Sequence, residues 1–172
     1  MSIARPDMEI GEAFVGEGAE AAHVNLILGK REGAVGTAWA TALATPSAGH
    51  TPFITVLQPG LPVKPLTLFV NKATLAGDEH ARLTYGAAQA GIAGGIADAV
   101  AEGTVSRDEV DGLLIIASVW VSPEARNEQD VYRNNRDAAR AALAAGCQRV
   151  PKIEEILDAR DVPENPDFRP AR

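Results

Sequence analysis

Apolar positions in this chain follow two periods, and the changes between them mark out its elements. Along Ala22-His23-Val24-Asn25-Leu26-Ile27-Leu28 the period is two. Val24, Leu26 and Leu28 face one way, His23 and Asn25 the other. A Gly/Glu turn precedes this stretch, so a hairpin is predicted over 9–29, after a flexible leader over 1–8. Ala34–Ala44 reads as a short helix ended by Pro46. Phe53–Leu57 reads as a strand, and Pro59–Pro65 as a stiff connector. Leu66–Leu75 reads as a strand with Leu66, Leu68 and Val70 on one face and Thr67, Phe69 and Asn71 on the other.

Helical spacing takes over from Asp78 to Glu102, where Ala87, Ile92, Ile96 and Val100 recur on one face and Gly103 closes the helix. Gly86, Gly91, Gly94 and Gly95 lie inside it. Each costs up to ~1 kcal/mol against alanine, so close approach of a backbone or a ligand is expected there. Ser106 opens one more turn. Leu113–Val121 is almost continuously apolar and predicts a central strand. Glu128–Ala145 reads as a second long helix ended at Gly146, and residues 151–172 as a polar tail, mobile or draped over a neighbour. The pattern predicts an α+β fold, a two-layer mixed sheet with helices on one face. One domain is expected over 9–150.

Composition narrows the function classes. The 172 residues carry a formal net charge of −7, which argues against nucleic acid as a partner. Without a long uncharged apolar stretch, no membrane partner is expected. The single cysteine, Cys147, excludes an internal disulfide and fits a cytoplasmic setting, as does an N-terminus with no apolar run.

His23 is the leading candidate for chemistry, because imidazole exchanges protons near neutral pH. A plain surface or core histidine is equally compatible with its spacing. Lys72 sits at the end of a strand beside Asn71 and Thr74, where it either orients a ligand or is a solvated charge. Gln89 sits among small residues, with room to reach a ligand or to face water. His23, His50 and His80 lack metal-ligand spacing, so no metal is expected.

Taken together, several segments resemble the formaldehyde-activating enzyme family. They are Gly11-Glu12-Ala13-Phe14-Val15-Gly16-Glu17-Gly18, Ala22-His23-Val24, Ala48-Gly49-His50-Thr51-Pro52, Leu61-Pro62-Val63-Lys64-Pro65, Asn71-Lys72-Ala73-Thr74, Gly86-Ala87-Ala88-Gln89 and Ala97-Asp98-Ala99-Val100-Ala101-Glu102-Gly103. Their order and spacing match from about residue 10 to residue 145. The resemblance implies a fold like domain 2 of ribosomal protein S5. It implies condensation of formaldehyde with tetrahydromethanopterin, a co-substrate, to methylene-tetrahydromethanopterin and water. It further implies a homopentamer with sites between subunits, His23 as general acid, and Asn25, Ile54, Lys72, Thr74 and Gln89 lining the pterin site.

One departure stands beside His23. The family's usual residue at position 25 is aspartate, and here it is Asn25. An amide cannot act as a base and supplies no negative charge to its neighbour. Three readings follow: an active enzyme, a divergent paralogue that binds pterin or formaldehyde with little turnover, or an enzyme that uses another aldehyde or another reduced pterin. The pair Asn134-Asn135 also differs from the tyrosine-asparagine pair common in the family.

Overall fold

The computed structural model describes residues 7–166 and 168–170. In chain order the elements are β1 (Met8–Val15), β2 (Ala22–Lys30), α1 (Ala34–Ala44), β3 (Phe53–Ile54), β4 (Val56–Gln58), β5 (Leu61–Pro62), β6 (Leu66–Asn71), α2 (Asp78–Arg82), α3 (Gln89–Ala101), β7 (Leu113–Trp120), α4 (Glu128–Gln148) and α5 (Ile153–Ala159). Five strands form one sheet in the order β1-β2-β7-β6-β3, and β4 pairs with β5 apart from it. Only β6 and β7 run parallel; the other pairs are antiparallel. The sheet is therefore mixed, with the strongly apolar β7 at its centre, as the patterning predicts.

The alternation read from the sequence sets the two faces. Val24, Leu26 and Leu28 of β2, Ile115, Ala117 and Val119 of β7, and Phe69 of β6 are buried against the long helices. Those helices supply Ile92 and Ile96 from α3, and Ala138, Ala139, Ala142 and Leu143 from α4. Each large side chain so buried is worth about 1.5–3 kcal/mol relative to exposure. The short α1 lies against one end of the opposite face, where Val35 packs over Gly29.

Some boundaries differ from the patterning. Residues 1–6 of the expected leader lie outside the described residues, and Met8 already opens β1. The strand expected over 53–57 is broken at Thr55, whose N–H donates to Thr67 O. The strand expected to reach Leu75 stops at Asn71. The first long helix is a composite: α2 and α3 are joined by a π-helical turn, Leu83–Ala88. The second long helix does not stop at Gly146 but runs to Gln148, with Arg149 left-handed beyond it. Gly146 is a packing residue: a Cβ there would press on the β1 backbone at Ile10 and Gly11. The tail carries helix α5.

The helix glycines divide by role. A Cβ on Gly91 would run into Tyr132 O and Asn135 Cβ, and one on Gly95 into Arg136 O and Ala139 Cβ. On the other flank, a Cβ on Gly11 of β1 would run into Ala142 O. Helix α4 is thus seated between α3 and β1 at backbone distance. Gly86, in the π turn, has nothing within 4 Å of its Cβ position.

A bidentate pair crosses the same helix interface: Arg136 Nε and Nη2 donate to Asp98 Oδ2 and Oδ1 at 2.7 and 2.8 Å, and Nη1 to Tyr132 OH at 2.8 Å. These bonds hold the Asp98 carboxyl below its ordinary value.

Two stability measurements follow. In urea unfolding, Gly91→Val lowers stability by ~1–3 kcal/mol through overpacking, whereas Gly86→Ala leaves it unchanged or raises it by up to ~1 kcal/mol. A depressed folded carboxyl contributes stability that is full above the unfolded value of ~3.9 and is lost as pH falls through the lower folded value. Acid unfolding of Arg136→Leu is therefore expected to lack part of the wild-type loss below about pH 4. A wild-type acid limb in that variant would remove Asp98 from this role.

Candidate functional site

The site grows out of the β1–β2 hairpin. Its turn begins at Gly16, whose φ of +89° disfavours other residues and whose Cβ position is filled by the Asn134 side chain. The turn is pinned to the start of α4. Glu20 Oε1 accepts from Arg126 N at 3.2 Å and Asn127 N at 3.3 Å, and Asn134 Nδ2 donates to Glu20 O at 2.8 Å. The two backbone N–H groups hold the Glu20 carboxyl below its ordinary value. Asn134 therefore helps to fix the strand that carries His23.

Strand register then builds rows of side chains on the face away from the long helices. Phe14, His23 and Trp120 lie opposite one another on β1, β2 and β7. Lys72 extends that row, because its N–H continues the ladder to Val119 O at 2.8 Å. Glu12, Asn25, Ser118 and Val70 form the next row. Further along the sheet the rows become apolar, with Ile10, Ile27, Ile116, Leu68 and Ile54 in register. One end of the face is thus polar and aromatic, and the other oily.

Around His23 the contacts are specific. Glu12 Oε1 lies 3.0 Å from His23 Nε2 across the hairpin, an ion pair when the ring is protonated. The Phe14 ring sits 5.8 Å from the imidazole, tilted by 46°. Glu12, Phe14, His23 and Trp120 line a cleft of about 610 Å³, walled on another side by Glu164, Asn165 and Pro166 of the tail. The tail thus lies against its own chain's His23 cleft. That volume falls within the range of small-molecule sites, roughly 300–1,000 Å³.

The six residues expected at a pterin site do not all converge. His23 and Asn25 share the open face of β2, and Lys72 stands in the His23 row. Ile54 is exposed on β3 at the far edge of the sheet, three strands from β2. At ~4.8 Å per strand that is about 14 Å. Thr74 lies in the segment after β6, where its hydroxyl is 3.3 Å from His50 Nε2. His50 Nδ1 in turn contacts Asn71 O at 2.8 Å, so Nδ1 carries the proton and Nε2 accepts from Thr74. Gln89 is buried behind the sheet, its Oε1 accepting from Val56 N at 2.5 Å. It holds β4 in place with that oxygen.

The remaining histidine, His80, is buried and structural. Ala76 N donates to its Nδ1 at 3.1 Å, and its Nε2 lies 3.0 Å from Val121 O. Among the described residues no group of three or more His, Cys, Asp or Glu side chains could hold a metal ion, and no helix is long and apolar enough to cross a membrane.

Glu12, Phe14 and Trp120 were not among the candidates drawn from the sequence. Alternation along Met8-Glu9-Ile10-Gly11-Glu12-Ala13-Phe14 already puts Glu12 and Phe14 on one face. What pairs them with His23 is the six-residue turn, which sets Val15 opposite Ala22.

Comparisons with known proteins agree over most of the chain. Residues 10–167 match the model of a family described as formaldehyde-activating enzyme. A protein of Methanococcoides burtonii named "Bifunctional enzyme Fae/Hps" is 44% identical over 154 residues, covering 90% of this chain and 39% of that protein. Proteins of the same name from Methanosphaerula palustris and Archaeoglobus fulgidus are 43% and 41% identical, over 89% and 90% of this chain and 39% of each. The chain spans well under half the length of the curated relatives it matches.

Gln89→Leu tests the structural share of that residue. Removing the acceptor strands the Val56 N–H, and a loss of about 1–3 kcal/mol in urea unfolding is expected. Unchanged stability would show that the β4 contact contributes nothing.

Proposed function

The chain belongs to the formaldehyde-activating enzyme family, and on that footing we propose that it condenses formaldehyde with tetrahydromethanopterin to methylene-tetrahydromethanopterin and water, a hydro-lyase-type reaction. The observation that carries this reading is the His23 ring held between a carboxylate and an aromatic wall, in a cleft of small-molecule size. A secondary amine of the reduced pterin attacks the formaldehyde carbon and forms a carbinolamine, N–CH₂–OH. Hydroxide leaves poorly, so the oxygen must take a proton as the C–O bond breaks. The His23 imidazolium supplies it, water departs and an iminium forms. A second pterin nitrogen then closes the methylene bridge and releases its own proton.

Surrounding groups suit a flat, polar ring system. Trp120 and Phe14 offer aromatic surface, Asn25 and Ser118 donors and acceptors, and Lys72 a cation in the His23 row. Substitution of aspartate by Asn25 does not strip the ring of negative charge, because Glu12 supplies a carboxylate from the adjacent strand. That favours an enzyme over a binding module with little turnover.

The separation of Ile54 from His23 supports a site shared between copies of the chain. Both sheet edges carry exposed apolar side chains, Met8, Ile10 and Phe14 on the β1 edge and Ile54, Leu57 and Leu61 near the β3 edge. Two different edges meeting head to tail generate a ring when the rotation between copies closes. A homopentamer is the form taken here, with Ile54, Thr74 and the Gln89 region facing the His23 cleft of a neighbour. The acidic chain and single cysteine suit a cytoplasmic enzyme.

The assay follows formaldehyde loss with and without tetrahydromethanopterin. Wild type is expected to accelerate the pterin-dependent reaction over the spontaneous one, and His23→Ala to lose ~10²–10⁴-fold. Asn25→Asp is expected to change the rate by less than about tenfold, or ~1.4 kcal/mol. A wild-type protein that gives no acceleration, made active by Asn25→Asp, would instead support the binding-module reading.

A further inference from the structure

The geometry points to Glu12 as a positioning residue that fixes which nitrogen of His23 delivers the proton, an inference that rests on the general-acid reading above. Glu12 Oε1 stands 3.0 Å from Nε2. A ring N–H at Nε2 meets negative charge, whereas a lone pair there is repelled by it. The neutral imidazole is therefore biased to the Nε2–H form. Among the described residues no side chain or backbone group is recorded as a partner of Nδ1.

This division has a chemical consequence. In the imidazolium both nitrogens carry protons, and Nε2 is the one that faces the Glu12 carboxylate, 3.0 Å away. The Nδ1 proton is the one transferred to the carbinolamine oxygen. The ring then returns to the Nε2–H neutral form already favoured by Glu12, with no tautomer exchange between turnovers. Charge is conserved: the imidazolium loses one proton, the carbinolamine loses water, and the positive charge passes to the iminium.

Three features make Glu12 suitable for this task. Its place on β1, directly opposite Asn25 and diagonal to His23, is set by strand register rather than by a flexible loop. The Phe14 ring, two residues on, lies beside the imidazole at 5.8 Å. Asn25, the residue beside it, has no charge with which to compete for Nε2. Both members of the pair are partly exposed, so the contact adds little to stability and its removal leaves the fold intact.

The experiment compares wild type, Glu12→Gln and Glu12→Asp in two measurements, with thermal melts confirming that all three fold. Long-range ¹H–¹⁵N spectra of labelled protein, recorded where the ring is neutral, report the His23 tautomer. The expected result is the Nε2–H form in wild type, a mixture of forms in Glu12→Gln, and the Nε2–H form regained in Glu12→Asp. In the condensation assay Glu12→Gln is expected to lower kcat by ~10-fold or more, with the formaldehyde KM within about twofold, and Glu12→Asp to recover part of the loss. An Nδ1–H form in wild type, or a tautomer ratio unmoved in Glu12→Gln, would overturn the assignment, as would an active Glu12→Gln with wild-type kcat. The spectra need no substrate. They decide the role of Glu12 even if wild type fails to accelerate the reaction, a result that removes the pterin reading alone.

Discussion

The fold turns on how closely helix α4 can approach its neighbours. Gly91 and Gly95 let it lie against α3 at backbone distance, and Gly11 with Gly146 do the same against β1. Interiors pack at crystal-like density, so a methyl group in any of these contacts must displace a helix or a strand. The site inherits this constraint. The N-terminal end of α4 receives Glu20, Asn134 fills the space at Gly16, and the hairpin is thereby held with His23 facing the cleft. Small residues at the back of the sheet thus set the position of the His23 ring at its front.

Local periodicity made most of the fold legible in the sequence. The period-two run through Val24, Leu26 and Leu28 gave the buried face of β2, and the apolar run at Leu113 gave the central strand. Glycine was harder to read. Gly103 ends its helix, but Gly146 resembles a terminator in sequence and is a packing contact in space, because its neighbour is a β1 backbone more than a hundred residues away. The same long-range dependence hid Glu12 and Trp120. Alternation assigns a residue to a face, but only strand order and register say which side chains share a row. Gln89 shows the converse: a polar side chain among alanines invites a ligand, yet its oxygen is engaged by Val56 N–H.

The negative charge beside His23 comes from the strand next to it and not from β2 itself. The carboxylate contact comes from the neighbouring strand, from Glu12 directly opposite Asn25. Ion-pair reach across a hairpin is a few ångströms, so either strand can present the negative group to the same imidazole. In this chain the carboxylate beside His23 comes from β1, while β2 itself presents the uncharged Asn25.

The π turn at Leu83–Ala88 bears on which lengths this chain tolerates. Such a turn holds one residue more than the α-helix it interrupts, and each helical residue rotates the following face by about 100°. A one-residue deletion there would leave a continuous helix but swing α2 around its axis relative to α3. His80, which joins Ala76 to Val121 through both ring nitrogens, would then point away from the end of β7. Substitutions that preserve the helix between Leu83 and Ala88 keep this phase, whereas a single lost residue breaks it. The segment therefore acts as a ruler whose residue count sets the angle of α2 about the helix axis relative to α3.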